Sequence, residues 1–279
     1  MIRIIVDSSA DFQAKELQAK QIELVPITVT IGDRSYLDGI DLKRDTFYEI
    51  LTESGEFPKT SQPSPQAFLD AFLDAKAKGD DVVCITVSSA LSGTCQSAML
   101  ARTMADYDNI YIVDSLAATH IIRIMADYAC TLRTQGLHAP AIAAALQILR
   151  PRIKVAAVVD TLEYLQRGGR LSKTAAAIGE LASLKPMITI TEEGTVGVLG
   201  KSIGKNKAAI NMLKHIQGYE IDTQFPVYTL FTYGTDNCAR FEERLSEEGI
   251  CPTNRLQIGP SIGAHVGPEA FGVIWVSKE

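Results

Sequence analysis

The strongest constraint on this chain is an alternation of two kinds of segment. Runs rich in Val and Ile recur at 2–6, 24–31, 82–87, 110–113, 155–159, 186–191, 227–233, 255–258 and 272–276. Between most of them lie helix-like stretches at 65–78, 94–105, 116–134, 140–149, 172–184, 205–217 and 236–248. Short β-branched runs joined through helices predict βαβ units and a mainly parallel sheet, at least in the first half. Local punctuation agrees. Ser64-Pro65 offers a side-chain N-cap followed by Pro at the first helical position, and Asp236 is placed to cap the stretch behind it. Gly136 and Gly249 stand where helices should stop.

Two segments depart from the alternation. Leu24–Ile31 and Arg34–Leu37 flank Gly32-Asp33, which predicts a hairpin rather than a crossover. Residues 187–201 predict a second hairpin turning at Glu192-Glu193-Gly194, so the second half acquires a mixed sheet. The expected fold is therefore α/β in two domains. Residues 1–153 form a mainly parallel sheet flanked by helices, and residues 154–279 form a smaller mixed-sheet α/β unit. The boundary falls at Arg150-Pro151-Arg152-Ile153-Lys154, where a helical run ends in a Pro between charges. At 279 residues and 46% hydrophobic, the chain can bury a large core, and its length favours two domains over one.

Charge and composition remove several function classes. The formal net charge is −6 and no Lys/Arg run exceeds a pair, which argues against a nucleic-acid surface. No apolar run approaches a bilayer-spanning length, and Met1–Asp7 reads as a first strand rather than a signal peptide. The five cysteines are scattered without a Cys-x-x-Cys pair, the pattern of reduced thiols in a cytoplasm. His120, His138 and His215 lack partnered spacing, so no metal site and no cofactor is expected. The run Gly194–Ser202 ends like a phosphate-binding loop, but Thr195 stands where that motif needs Gly, and a hairpin strand is the better reading. Gly259, Gly263 and Gly267 repeat at four-residue spacing beside Pro260 and Pro268, and read as a tight loop bringing backbone close to a ligand.

The chemistry concentrates in two hydroxyl-rich segments, Lys59-Thr60-Ser61-Gln62-Pro63-Ser64-Pro65 and Ser88-Ser89-Ala90-Leu91-Ser92-Gly93-Thr94. Each sits beside a helix start, where free N–H groups, the positive helix end and rotatable O–H donors make a receptor for a small anion. Both are expected at carboxyl ends of strands in one sheet, where α/β folds bind ligands. Asp7 and Asp114 end strand-like runs nearby, and their expected role is to cap and fix loops. The segment Asp160–Lys173 bends at Gly168-Gly169 and gathers Arg167, Arg170 and Lys173, a basic patch for phosphate or an acidic partner. A serine hydrolase using Ser92 and His265 is the alternative, although Ala90 and Thr94 replace the glycines of the nucleophile elbow.

Taken together, Asp7-Ser8-Ser9-Ala10-Asp11, Thr60-Ser61-Gln62-Pro63-Ser64, Ser89-x-x-Ser92-Gly93-Thr94, Leu162-x-Tyr164-Leu165-x-x-Gly168-Gly169-Arg170 and Ile258-Gly259-Pro260-x-Ile262-Gly263-x-His265-x-Gly267-Pro268 resemble the DegV family nearly end to end. Its members are bacterial fatty-acid-binding proteins that carry substrate for a fatty acid kinase. The resemblance implies a long-chain fatty acid held between the two domains, in a non-catalytic subunit that presents the carboxylate for conversion to an acyl phosphate for phospholipid synthesis. It places the carboxylate on Thr60 and Ser92 with His265 close by, and Ser61, Gly93 and Thr94 complete the expected donor set. Arg170 matches a residue associated with kinase docking, with Arg167 and Lys173 beside it. Kinase-dependent members often carry Arg in the stretch matched by Lys201–Lys205, where this chain has Ile203.

Overall fold

The computed structural model describes residues 1–171 and 183–278. Four parallel strands, β1 (Ile2–Asp7), β2 (Ile22–Val25), β6 (Asp81–Thr86) and β7 (Ile110–Asp114), form a sheet in the order β2-β1-β6-β7. Its residues divide by period two, as a pleated strand requires. Ile5, Val82 and Cys84 pack on Phe68, Phe72 and Ala98 of helices α3 (Pro65–Lys78) and α4 (Thr94–Ala105). Ile4, Val6, Val83 and Ile85 face Ile122, Met125 and Leu146 of helices α5 (His120–Thr134) and α6 (Ala139–Leu149). Covering on both faces explains why these strands read as continuous apolar runs.

Six strands form the second sheet, in the order β10 (Val196–Ile203), β9 (Leu184–Ile190), β8 (Ile153–Val158), β13 (Phe271–Val276), β11 (Tyr228–Phe231) and β12 (Asn254–Gln257). Among the described strands of this sheet only β11 and β12 pair in parallel, so the sheet is mixed, as the 187–201 hairpin implied. Ala156, Val158, Val273 and Trp275 on one face pack on helices α8 (Lys205–Ile216) and α9 (Asp236–Glu247). Ile153, Val155, Ile274 and Val276 on the other face join the cluster around α5 and α6, which ties the two sheets together. The α/β class with one parallel and one mixed sheet is thus borne out.

Four local expectations are corrected. The run 24–31 is two strands: Pro26 has no N–H to give a ladder, and the chain leaves β2 for β3 (Thr28–Ile31). β3 pairs with β4 (Arg34–Leu37) and β5 (Lys59–Ser61) in a small antiparallel sheet, so Thr60 does not follow a strand of the parallel sheet. The glycine-rich run at 259–267 is a helix, α10 (Pro260–Val266), not a loop. Helices α1 (Ala14–Lys20), α2 (Arg44–Ser54) and α7 (Glu163–Arg167) and two single-turn 3-10 helices, Ser8–Ala10 and Arg150–Arg152, complete the described elements. Ser64 accepts the Ala67 N–H at 3.3 Å as the expected cap, whereas Asp236 is the first helical residue and Thr235 the cap. Most of the stretch expected to be a helix at 172–184 lies outside the described residues.

Candidate functional site

Between the two sheets lies a narrow cavity, of which about 100 Å³ can hold the centre of a water molecule. One wall is aliphatic: Val155 and Ala157 on β8, Ile188 and Ile190 on β9, Val196 on β10 and Leu230 on β11. Val155 and Ala157 are two apart on one strand, so both point inward. The opposite rim is built by segments following strands of the parallel sheet: Ser9 after β1, Val87, Leu91 and Ser92 after β6, and Ala118 and Thr119 after β7. Asp7 accepts from the backbone N–H groups of Ser9 (3.0 Å) and Val87 (2.6 Å), and Asp114 from those of Ser89 and Leu116 (3.1 Å each). Both aspartates therefore fix loops, and burial raises the pKa of Asp7.

The polar end joins residues from three distant places. Thr60 on β5, Ser92 before α4 and His265 on α10 all line the cavity, with Gln62 and Arg170 beside them. Thr60 Oγ1 and His265 Nε2 are 2.8 Å apart, while the buried Nδ1 has no partner among the described residues. An unpaired buried N–H costs more than an unpaired acceptor. We therefore assign the proton to Nε2, which donates to Thr60 and leaves the threonine hydroxyl hydrogen for a ligand. Burial, and secondarily the Arg170 charge, lowers the His265 pKa to about 4, so the ring is neutral near pH 7. Ser92 Oγ lies 2.8 Å from Thr94 Oγ1 and accepts the Thr94 N–H at 3.3 Å. With Thr94 donating, Ser92 also keeps its hydrogen for a ligand.

Glycines permit these approaches. A Cβ on Gly168 would collide with His265 Nδ1, and one on Gly93 with the Gln62 amide. Gly267, at φ +74°, lies against the Tyr164 ring, so the two glycine-rich motifs near 168 and 263 form one packed surface. Of the Gly168-Gly169 pair, only Gly169 has the left-handed φ (+69°) that a bend demands; Gly168 is there for closeness. Arg170 spans the site, donating to Leu91 O at 2.9 Å and Gly168 O at 2.6 Å. Burial lowers its pKa.

The other expected residues fall as follows. Ser61 is exposed and forms no part of the cavity wall, because alternation along an extended strand turns it away from Thr60. Gly93 and Thr94 stand behind Ser92 rather than in the wall. Arg167 is exposed, paired with Glu163 and stacked 3.9 Å over the Phe57 ring. With Lys59, Tyr164 and Arg170 it lines a second, outer recess of about 460 Å³ that shares Thr60 and His265 with the inner cavity. Lys173 lies outside the described residues. Gln62 had no assigned role in the sequence reading; its Nε2 donates to Ser97 Oγ at 3.1 Å, stitching β5 to α4. Its position two residues beyond Thr60 was the available signal, since period two puts both on one side. Ser92 and His265 do not bond to each other, so the pair expected of a hydrolase is not assembled in this geometry.

Fold and site together define an α/β protein with a partly open apolar cavity whose polar end gathers hydroxyls, a neutral imidazole and Arg170. Comparison with known proteins gives the family. The model described as "Uncharacterised protein, DegV family" matches residues 1–278. A DegV domain-containing protein of Caldanaerobacter subterraneus is 35% identical, with 99% of each chain aligned. The structure of a DegV family protein from Thermus thermophilus, described by its fatty acid binding, superposes with a TM-score of 0.88 at 30% identity, covering 99% of both chains. That of a stearic acid-binding protein from Eubacterium ventriosum gives 0.88 at 27% identity, covering 100% of this chain and 99% of the other. The chain belongs to the DegV family. No helix among the described residues is long and apolar enough to cross a membrane.

Proposed function

We propose that this protein binds a long-chain fatty acid, tail in the aliphatic channel and carboxylate at Thr60, Ser92 and His265. The observation that carries this reading is the continuity of one cavity from an aliphatic wall to a cluster of neutral donors. An acid with about fifteen methylenes gains a gross ~12 kcal/mol by burying them at roughly 0.8 kcal/mol each, before binding entropy is subtracted. The carboxylate cannot enter bare, because an unpaired buried charge costs more than the tail gains. Two hydroxyls satisfy it, that of Thr60, oriented by His265, and that of Ser92, with Arg170 on the same rim. Neutral donors also leave one carboxylate oxygen unclaimed, toward the outer recess bearing Lys59, Arg167 and Arg170. From that side the oxygen would attack the terminal phosphate of a nucleoside triphosphate held by a partner kinase in the cytoplasm. The bond to the bridging oxygen breaks, the nucleoside diphosphate leaves and an acyl phosphate forms, with this chain supplying substrate and no catalytic base.

Mass spectrometry of an organic extract from recombinant protein tests the first part: a stoichiometric fatty acid is expected, and its absence would remove the reading. The kinase step is tested by Arg167→Ala, which should leave lipid content unchanged and slow phosphorylation of the bound acid. A fluorophosphonate probe addresses the hydrolase alternative; labelling lost in Ser92→Ala would favour it.

A further inference from the structure

His265 is delivered to the head of the cavity by a helix of only seven residues, α10. A segment that short has no stability of its own in water, so its placement is imposed from outside. Two buried carboxylates impose it. Asp11, 2% exposed, accepts the Gly259 N–H through Oδ1 at 2.8 Å, while its Oδ2 accepts the Thr119 hydroxyl at 2.7 Å. Asp38, 4% exposed, accepts both the N–H of Ser261 (3.0 Å) and its hydroxyl. These contacts take up N–H groups at the N-terminal end of α10 that have no partner within the helix.

The far side of the helix is equally confined. Tyr48 donates its hydroxyl to Ile258 O at 2.8 Å, and a Cβ on Gly263 would collide with that hydroxyl and approach the Phe47 ring. A Cβ on Gly259 would likewise strike Asp11 Oδ1, so glycine lets the carboxylate reach the backbone.

From this geometry we infer that Asp11 and Asp38 are positioning residues: by pinning the first turn of α10 they hold His265 against Thr60 and so set recognition of the ligand's acidic head. Neither touches the bound acid in this scheme, and neither belongs to the donor set. The inference rests on the fatty-acid reading above. It separates two quantities that simple loss of structure would move together, namely affinity for the tail and discrimination of the head.

The experiment compares binding of palmitic acid with binding of 1-hexadecanol, which has the same tail and no charge, in delipidated full-length protein. Asp38→Ala and Asp11→Ala should each lower the acid-to-alcohol affinity ratio about tenfold, the size expected on losing a hydrogen bond to a charged group. Alcohol affinity should remain within about twofold of the wild type. Ring NMR signals of His265 should move toward those of a solvated imidazole in both variants. Ser261→Ala, which removes one donor to Asp38 and keeps the helix, should give a smaller change in the same direction and covers the case in which the aspartate variants do not fold. An unchanged ratio with an unchanged His265 signal, or an equal loss of acid and alcohol binding, overturns the inference alone. Wild-type protein that binds neither ligand overturns the fatty-acid reading itself, and the inference with it.

Discussion

The two ends of the cavity are built on different plans. The aliphatic end is furnished mainly by side chains on neighbouring strands of one sheet, whose positions are fixed by the hydrogen-bonded ladder between β8 and β9. The polar end is assembled from a strand of a separate small sheet, a loop after β6 and a seven-residue helix, with Thr60 and His265 lying 205 residues apart in sequence. On the proposed reading, grip on a tail would be spread over many small, replaceable contacts, whereas recognition of the head would depend on a few donors whose registration the rest of the fold must maintain. Spread contacts tolerate single changes; concentrated ones do not.

The sharpest way to break this comparison is to block the tail's path. Ala157→Phe places a ring in the channel, and obstructing half of a fifteen-methylene path would remove about 6 kcal/mol of burial. Fatty acid should vanish from extracts while thermal unfolding stays cooperative; retained lipid would place the tail elsewhere. At the head, Thr60→Ala combined with Ser92→Ala should weaken binding by about 2–6 kcal/mol, at ~1–3 kcal/mol per lost partner of a charged group. Calorimetry on delipidated protein measures this, and unchanged affinity would remove the head assignment. Gly168→Ala is smaller, about 1–2 kcal/mol, because the new methyl pushes the His265 ring out of line with Thr60 without deleting a donor. Its effect should be confined to acids and absent for the matching alcohol.

The comparison is sharpened again by the pH dependence of stability, where the groups act in opposite senses. His265 is held at about 4 against an ordinary value of 6.5, first by burial. The unfolded chain takes up a proton that the native protein refuses, so this residue lowers stability as pH falls from 6.5 toward 4. Asp11 is raised to about 7 and Asp38 to about 6, first by burial in both cases. Here the native protein keeps protons that the unfolded chain has released. That contribution is complete below about 3.8 and is lost as pH rises through 6 and 7. Denaturant midpoints of Asp11→Asn plus Asp38→Asn, relative to wild type, should therefore increase between pH 4 and 7 and level off above. A flat difference would place both carboxyls in their ordinary range.

Much of the fold was legible because burial on both faces writes itself into sequence as unbroken apolar runs. Helices α3 and α4 lie at 65–78 and 94–105, where Ser64-Pro65 and the hydroxyl-rich segment ending at Thr94 put them. What escaped was structure whose local sequence argues against it. Helix α10 carries Pro260 and Gly263 in seven residues, and its glycine is required by Tyr48 and Phe47, which no local pattern reveals. Thr60 and Ser92 stood out as hydroxyl-rich neighbours of helix starts, yet the exposure of Ser61 followed from a three-residue strand too short to signal itself. The Leu24–Ile31 run looked continuous until Pro26 divided it between two sheets.

By itself the sequence determined the class of fold, most strands of both sheets and the two hydroxyl-rich segments, since each depends on periodicity and capping within a few residues. Only the tertiary structure decided that His265 meets Thr60, that Gln62 and Arg170 brace the same end, and that Asp11 and Asp38 hold the helix between them. Those are contacts across tens to hundreds of residues. The side chains involved have no local preference for one another, and only the close packing of the folded chain brings them within hydrogen-bonding distance.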